Sequence, residues 1–212
     1  MSRRSRPVAG VLAAIALGGC GSLTSYRTAE PVPCGQTRVE LATDAAAYRD
    51  RPQDTRALGG HLELAVRRGL GADTDATLKL FVPGVELGVQ HRFADGRWQY
   101  AGAAAIGLAR TRAGTGSTDA LHGHLRLTGL ATRRTSPRWA FTVGPVVTAG
   151  LFVPAGGGHA TGILIGGVAS AERRFAGAWQ VVPELSVHTT AAGDVPVDGA
   201  VLVVGAAVGR RW

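Results

Sequence analysis

From residue 57 onward, apolar and polar side chains alternate with a period of two. Leu58, Leu62, Leu64 and Val66 stand on one side of the first run, and His61, Glu63 and Arg67 on the other. That is the pattern of strands with one apolar and one charged face, not of a helix. The signal recurs over 85–93, 98–108, 121–131, 139–153, 163–175, 179–187 and 200–212. Tight connections of Gly, Pro and small polar residues at 94–96, 135–137 and 176–177 take turns with longer ones at 69–76, 113–119, 154–158 and 191–198. The prediction is an all-β, eight-stranded antiparallel up-and-down transmembrane β-barrel over 57–212, with two unlike ends. An even strand count puts both termini at the short-turn end.

Alternation does not say which face is inside, since a soluble barrel with an apolar cavity has the same period. Aromatic placement decides it. Trp98, Trp139, Trp179 and Trp212, with Phe93 and Phe175, all fall beside a short turn or the C-terminus. An amphipathic ring at one height marks a membrane interface. The faces bearing the tryptophans are nearly free of charge between their ends, as a lipid-facing wall must be. The opposite faces carry Glu63, Glu86, Arg126, Glu172 and Glu184.

Ahead of the barrel, Arg3, Arg4 and Arg6 precede the uncharged stretch 8–19. This reads as a signal peptide over 1–19, too short in its apolar part for a permanent spanning helix, which needs ~20 residues. Leu17-Gly18-Gly19-Cys20 resembles the bacterial lipobox, and the resemblance implies an acylated Cys20; Gly21, where Asp would retain a lipoprotein in the inner membrane, implies the outer membrane. The stretch 20–56 is then a lipidated periplasmic linker, with Pro31, Pro33 and Pro52. Thr37 to Ala42 has the alternation of one added short strand, with Val39 and Leu41 set between polar neighbours. An exported chain also permits a Cys20–Cys34 disulfide, which excludes acylation of the same sulfur.

These features together resemble the small outer-membrane barrels of the OmpA/OmpX type, over about 57–212. Trp212 fits the terminal aromatic residue of that family; Arg210 departs from its pattern. The resemblance implies an outer-membrane location with both termini in the periplasm. It implies as partners outer-membrane lipid, lipopolysaccharide and the barrel-assembly machinery.

Composition adds exclusions. The chain has 212 residues and a formal charge of +8, with 31 glycines and a single lysine, Lys79. The arginines are scattered in ones and twos, so no nucleic-acid patch is expected. An eight-stranded interior is just wide enough for side chains to fill. Glu63, Glu86, Glu172 and Glu184 therefore should pair there with Arg67, Arg92, Arg97, Arg126, Arg138 and Arg174. His122, His124 and His188 lack a carboxylate or cysteine at ligand spacing, so no metal and no other cofactor is expected. Ser186, His188 and Glu184 are the residue types of a hydrolase, but neighbours at i, i+2 stand ~7 Å apart and face the lumen. The leading reading is a structural or interaction role in the envelope, without catalysis. The alternatives are a narrow small-solute channel, a lipid-modifying hydrolase and a soluble transport barrel.

Overall fold

The computed structural model describes residues 23–50, 54–82, 84–112, 119–194 and 199–212. The signal-peptide stretch and Cys20 lie outside them. Among the described residues there are ten strands: β1 (Thr37–Asp50), β2 (Asp54–Gly69), β3 (Thr74–Phe81), β4 (Gly84–Ala94), β5 (Gln99–Arg112), β6 (Asp119–Ser136), β7 (Trp139–Pro154), β8 (Ala160–Arg174), β9 (Trp179–Gly193) and β10 (Ala200–Arg211). Each pairs antiparallel with its sequence neighbours, and β1 pairs with β10 to close the barrel.

The up-and-down barrel is as expected, but it has ten strands rather than eight. The expected linker over 20–56 is also corrected, because β1 and the start of β2 lie within it and the barrel begins at Thr37. In β1 the alternation of Arg38, Val39, Glu40 and Leu41 fades into Ala42 and Ala45–Ala47, residues with little preference for strands. β3 has only eight residues, and its inward Asp75, Thr77 and Lys79 make it look like a polar connection. Restoring β3 moves the 70–73 turn from the long-loop end to the short-turn end. Arg68 and Asp73 move with it.

Ten is also even, so both strand termini share the short-turn end. There the Thr37 N–H donates to the Trp212 carbonyl at 3.0 Å and the Trp212 N–H returns to the Thr37 carbonyl at 2.9 Å. Between β6 and β7 the backbones approach so closely that a Cβ on Gly144 would fall 1.7 Å from the Gly129 carbonyl oxygen, which explains the glycine.

Burial runs opposite to that of a water-soluble protein. Arg67, Glu63, Glu86, Glu172, Gln90 and His188 are each 2% exposed or less, whereas Leu62, Ile106 and Phe93 are 63%, 62% and 67% exposed. A soluble barrel with an apolar interior would reverse these values. The greasy wall faces outward, and nine of the ten strands have 11 residues or more, against the ~9–11 that cross a bilayer when tilted.

Candidate functional site

A ten-stranded barrel is wider than side chains alone can fill, and the chain fills it with its own N-terminal residues. Residues 23–36 enter at the short-turn end and run up the lumen toward its middle. Pro31 and Pro33 lack N–H donors, so this stretch cannot add to the sheet. Its polar backbone groups are buried and need partners.

The wall supplies them tier by tier. At the mouth, Glu30 accepts from Arg134 Nε at 2.7 Å and pairs with Arg174, and Glu172 draws on the same two arginines at 3.3 and 2.6 Å. Burial alone would raise the Glu30 carboxyl, but Arg174 and Arg134 outweigh it and hold it below the usual carboxylate range. On the β2–β4 side, Asp75 accepts the Val32 N–H at 2.8 Å and an Arg67 guanidinium N–H at 2.7 Å. Gln90 donates to the Thr28 carbonyl at 2.9 Å, and Thr132 Oγ1 accepts the Ala29 N–H at 2.7 Å. Ala29 also packs on Ala101, Leu130, Val146 and Val168.

At mid-height Glu184 grips the segment. Its Oε1 accepts the Ser25 N–H at 2.7 Å, and its Oε2 accepts the Tyr26 N–H at 2.6 Å and the Ser25 hydroxyl at 3.0 Å. Tyr26 lies in the left-handed region at φ 47°, which is uncommon for a bulky residue. The Tyr26 hydroxyl donates to the Thr43 carbonyl at 2.9 Å, in a space left open by Gly205, where a Cβ would meet that oxygen atom at 2.0 Å. The Thr24 hydroxyl reaches Asp44 at 3.3 Å, and the Thr24 carbonyl accepts from Lys79 at 2.9 Å and Arg126 at 3.0 Å. Arg126 also forks onto Glu86 at 2.5 and 2.7 Å, with His124 at 2.9 Å on the same carboxylate. Lys79 stands 3.3 Å from Glu63.

One group fits poorly. Arg27 is buried on the segment, has no ion pair among the described residues, and shares the lumen with Arg67 and Arg126. Burial first, and Arg67 next, push its guanidinium down to about 10, so it stays charged at neutral pH.

Of the anticipated lumen network, Glu63, Glu86, Arg126, Glu172, Arg174 and Glu184 line the interior. Arg92 is instead a rim residue, paired with Asp73 at 2.6 Å and Asp95 at 3.2 Å. Arg97 and Arg138 sit exposed in the β4–β5 and β6–β7 turns and leave the network, because β5 starts only at Gln99 and β7 only at Trp139. Arg67 and Gln90 lie on the polar faces that the alternation predicts, whereas sequence reasoning missed Asp75, Lys79 and Arg134. The alternation of Asp75, Thr77 and Lys79 with Leu78 and Leu80 was the signal for the first two.

Ser186 and His188 come within 3.0 Å, closer than their i, i+2 spacing suggests, because their side chains lean together. His188 Nδ1 has no partner, and Glu184 is taken by the segment, so no acid orients the imidazole. His122 stacks on His124 with centroids 5.6 Å apart, and no group of three metal-ligating side chains occurs among the described residues. The six aromatic residues, Phe93, Trp98, Trp139, Phe175, Trp179 and Trp212, are exposed at the short-turn end.

No family model and no curated protein matches the chain. Among solved structures, an outer-membrane channel from Pseudomonas putida F1 is similar at a TM-score of 0.52, with 12% identity over 87% of this chain and 98% of that one. Ail, the attachment invasion locus protein of Yersinia pestis, gives 0.46 with 9% identity over 84% and 99%, and Neisserial surface protein A gives 0.45 with 10% identity over 84% and 99%. The likeness to the Pseudomonas putida channel is one of fold, and on that ground this chain has the antiparallel up-and-down barrel fold of outer-membrane proteins.

Proposed function

We propose that the protein is an outer-membrane barrel with its termini on the periplasmic side, whose polar lumen is a narrow solute pathway kept shut by its own residues 23–33. The observation that carries this reading is the filling of a charged lumen by a tethered segment through exchangeable polar contacts. Water and ions can take over every contact that Glu184, Asp75, Lys79 and Gln90 make with it. A permanent filler would bury many apolar side chains, but here Tyr26, Ala29, Pro31 and Val32 are the buried ones among residues 23–33. Arg27 is buried without an ion pair among the described residues, facing Arg67 and Arg126 as well as Asp75 and Glu86, which suits a gate better than a core. The Pseudomonas putida protein of the same fold is an outer-membrane channel.

The test is planar-bilayer conductance of the refolded full chain and of a variant lacking residues 23–33. The full chain should stay closed with brief openings, and the deletion should conduct steadily with a salt-dependent current. A deletion variant that folds by heat-modifiable gel migration yet carries no current would leave the structural role, the segment then being a permanent filler.

A further inference from the structure

Arginine pairs repeat at the short-turn end of the even strands: Arg67-Arg68 on β2, Arg133-Arg134 on β6, Arg173-Arg174 on β8 and Arg210-Arg211 on β10. Because side chains alternate across a strand, each pair sends one guanidinium inward and one outward. The inward Arg67, Arg134 and Arg174 are bound by carboxylates. The outward Arg133, Arg173 and Arg210 meet no carboxylate among the described residues.

They lie on aromatic faces instead. Arg133 stands 6.0 Å from the Trp98 ring, Arg173 lies 5.3 Å from Trp139 and 4.9 Å from Phe175, and Arg210 lies 5.6 Å from Trp179 and 5.3 Å from Trp212. A guanidinium held by its face keeps its N–H edge free, and that edge matches a phosphate. Arginine on the lipid wall costs ~2–4 kcal/mol at the bilayer midplane and ~0–1 near the interface. The three therefore sit where headgroup phosphates lie.

The Arg133 clamp stands beside a groove among the described residues. On the outer wall of β4–β7, a depression of about 460 Å³ is lined by Gly102, Ala104, Gly129 and Pro145, with Val89, Leu127 and Val147 as its sides. Farther from the short-turn end on the same wall, the outward positions carry the large side chains Leu87, Ile106 and Leu125. Gly129 lies four residues along β6 from Arg133, or ~13 Å at the usual strand rise. Arg133 thus marks the headgroup end of a furrow that runs into the hydrocarbon.

We propose that this wall binds one anionic phospholipid, its phosphate on the Arg133 edge and an acyl chain in the Gly102–Gly129 groove. The inference rests on the barrel lying in a bilayer and not on whether its lumen conducts. Charge selects the class: the outward rim offers Arg133, Arg173 and Arg210, with Arg68 on the Thr37 hydroxyl as a fourth cation, and a zwitterionic headgroup would bring its own cation against them.

The test is native mass spectrometry of the full chain in detergent, incubated with equal phosphatidylglycerol and phosphatidylethanolamine. The wild type should keep one phosphatidylglycerol under activation that strips phosphatidylethanolamine. Arg133→Gln should lower that retention about tenfold, the value of a lost charged hydrogen bond. Gly102→Leu should lower retention of both lipids by filling the groove. A Cβ there meets only the Phe93 ring at 3.7 Å, so the substitution is sterically open. Arg210→Gln, whose clamp lies away from the Gly102–Gly129 groove, should keep the tightly held lipid. Heat-modifiable migration confirms that each variant is folded. The proposal is overturned by equal retention of the two lipids, by Arg133→Gln behaving as wild type, or by Arg210→Gln matching Arg133→Gln. A chain that never inserts into vesicles would instead overturn the membrane reading itself.

Discussion

Replacing Glu184 with Gln tests the grip on the lumen segment. Glu184 is 3% exposed and accepts three hydrogen bonds from Ser25 and Tyr26, two of them from backbone amides at 2.7 and 2.6 Å on different oxygens. Glutamine has one carbonyl oxygen and one NH2 group, so one amide N–H must face a donor. A buried donor left unsatisfied costs about 1–3 kcal/mol, and the remaining bonds lose the strengthening given by a charged acceptor, for a total of about 3 kcal/mol. At 1.4 kcal/mol per tenfold, the unseated population should rise about two orders of magnitude. The assay is the modification rate of Thr28→Cys by a water-soluble maleimide, in a background where Cys20 and Cys34 are Ser. With fast opening and closing, that rate follows the unseated fraction. An unchanged rate in a variant that still migrates as a folded barrel would refute the grip and the gate built on it.

Three further outcomes are expected. Glu86→Gln strips the charge that Arg126 and Lys79 face in the lumen, and losing one member of a buried pair costs about 3–5 kcal/mol, which urea-driven loss of heat-modifiable migration would read. Tyr26→Phe removes the donor to the Thr43 carbonyl and should weaken seating by about 1 kcal/mol, a modest rise in the same maleimide rate. Acidification should unseat the segment through Glu30. Its seated carboxyl is held below the ordinary 4.5 by Arg174 and Arg134, so its contribution is full above that value and lost as pH falls through the lowered one; open probability should climb at acid pH, and Glu30→Gln should remove the rise.

Much of the barrel was legible because an outward wall of Leu, Ile and Val against an inward wall of charge writes a strong period of two. The signal fails where side chains shrink. β1 turns to alanine after Leu41, and its strand identity comes from pairing with β2 and β10 along its length, which no local window contains. Missing two strands kept the parity, so the end bearing the termini was right while the contents of the lumen were not. Eight strands leave no room for a backbone, and a polar stretch with Pro31 and Pro33 then has only the role of a linker. With ten strands the same residues become lumen contents, and Glu184 binds backbone amides where an arginine had been expected. Arg138 was misplaced for a simpler reason: a turn residue has no face.

Acylation of Cys20, which we propose on the lipobox resemblance, and seating of the segment compete for the same few residues. Thr24 is tied to Asp44, seven positions along β1 from Thr37. Seven residues make ~23 Å of strand, or ~17 Å of height at a tilt near 40°. The four residues from Cys20 to Thr24 span ~14 Å at full extension. That reach falls short of the short-turn leaflet before any sideways path around the rim is counted. A lipid on Cys20 in that leaflet therefore implies that Thr24, Ser25 and Tyr26 have left Glu184, Lys79 and Arg126, and a Cys20–Cys34 bridge, with Cys34 exposed at the same rim, implies the same. Acylated protein should conduct and label at Thr28→Cys in a chain that keeps Cys20, whereas Cys20→Ser should be closed and protected. Mass analysis of the N-terminal peptide beside both readouts decides. Acylated chains with Thr28→Cys still protected would show that the anchor leaves by the opposite leaflet, and the assignment of the short-turn end to the periplasm would fall.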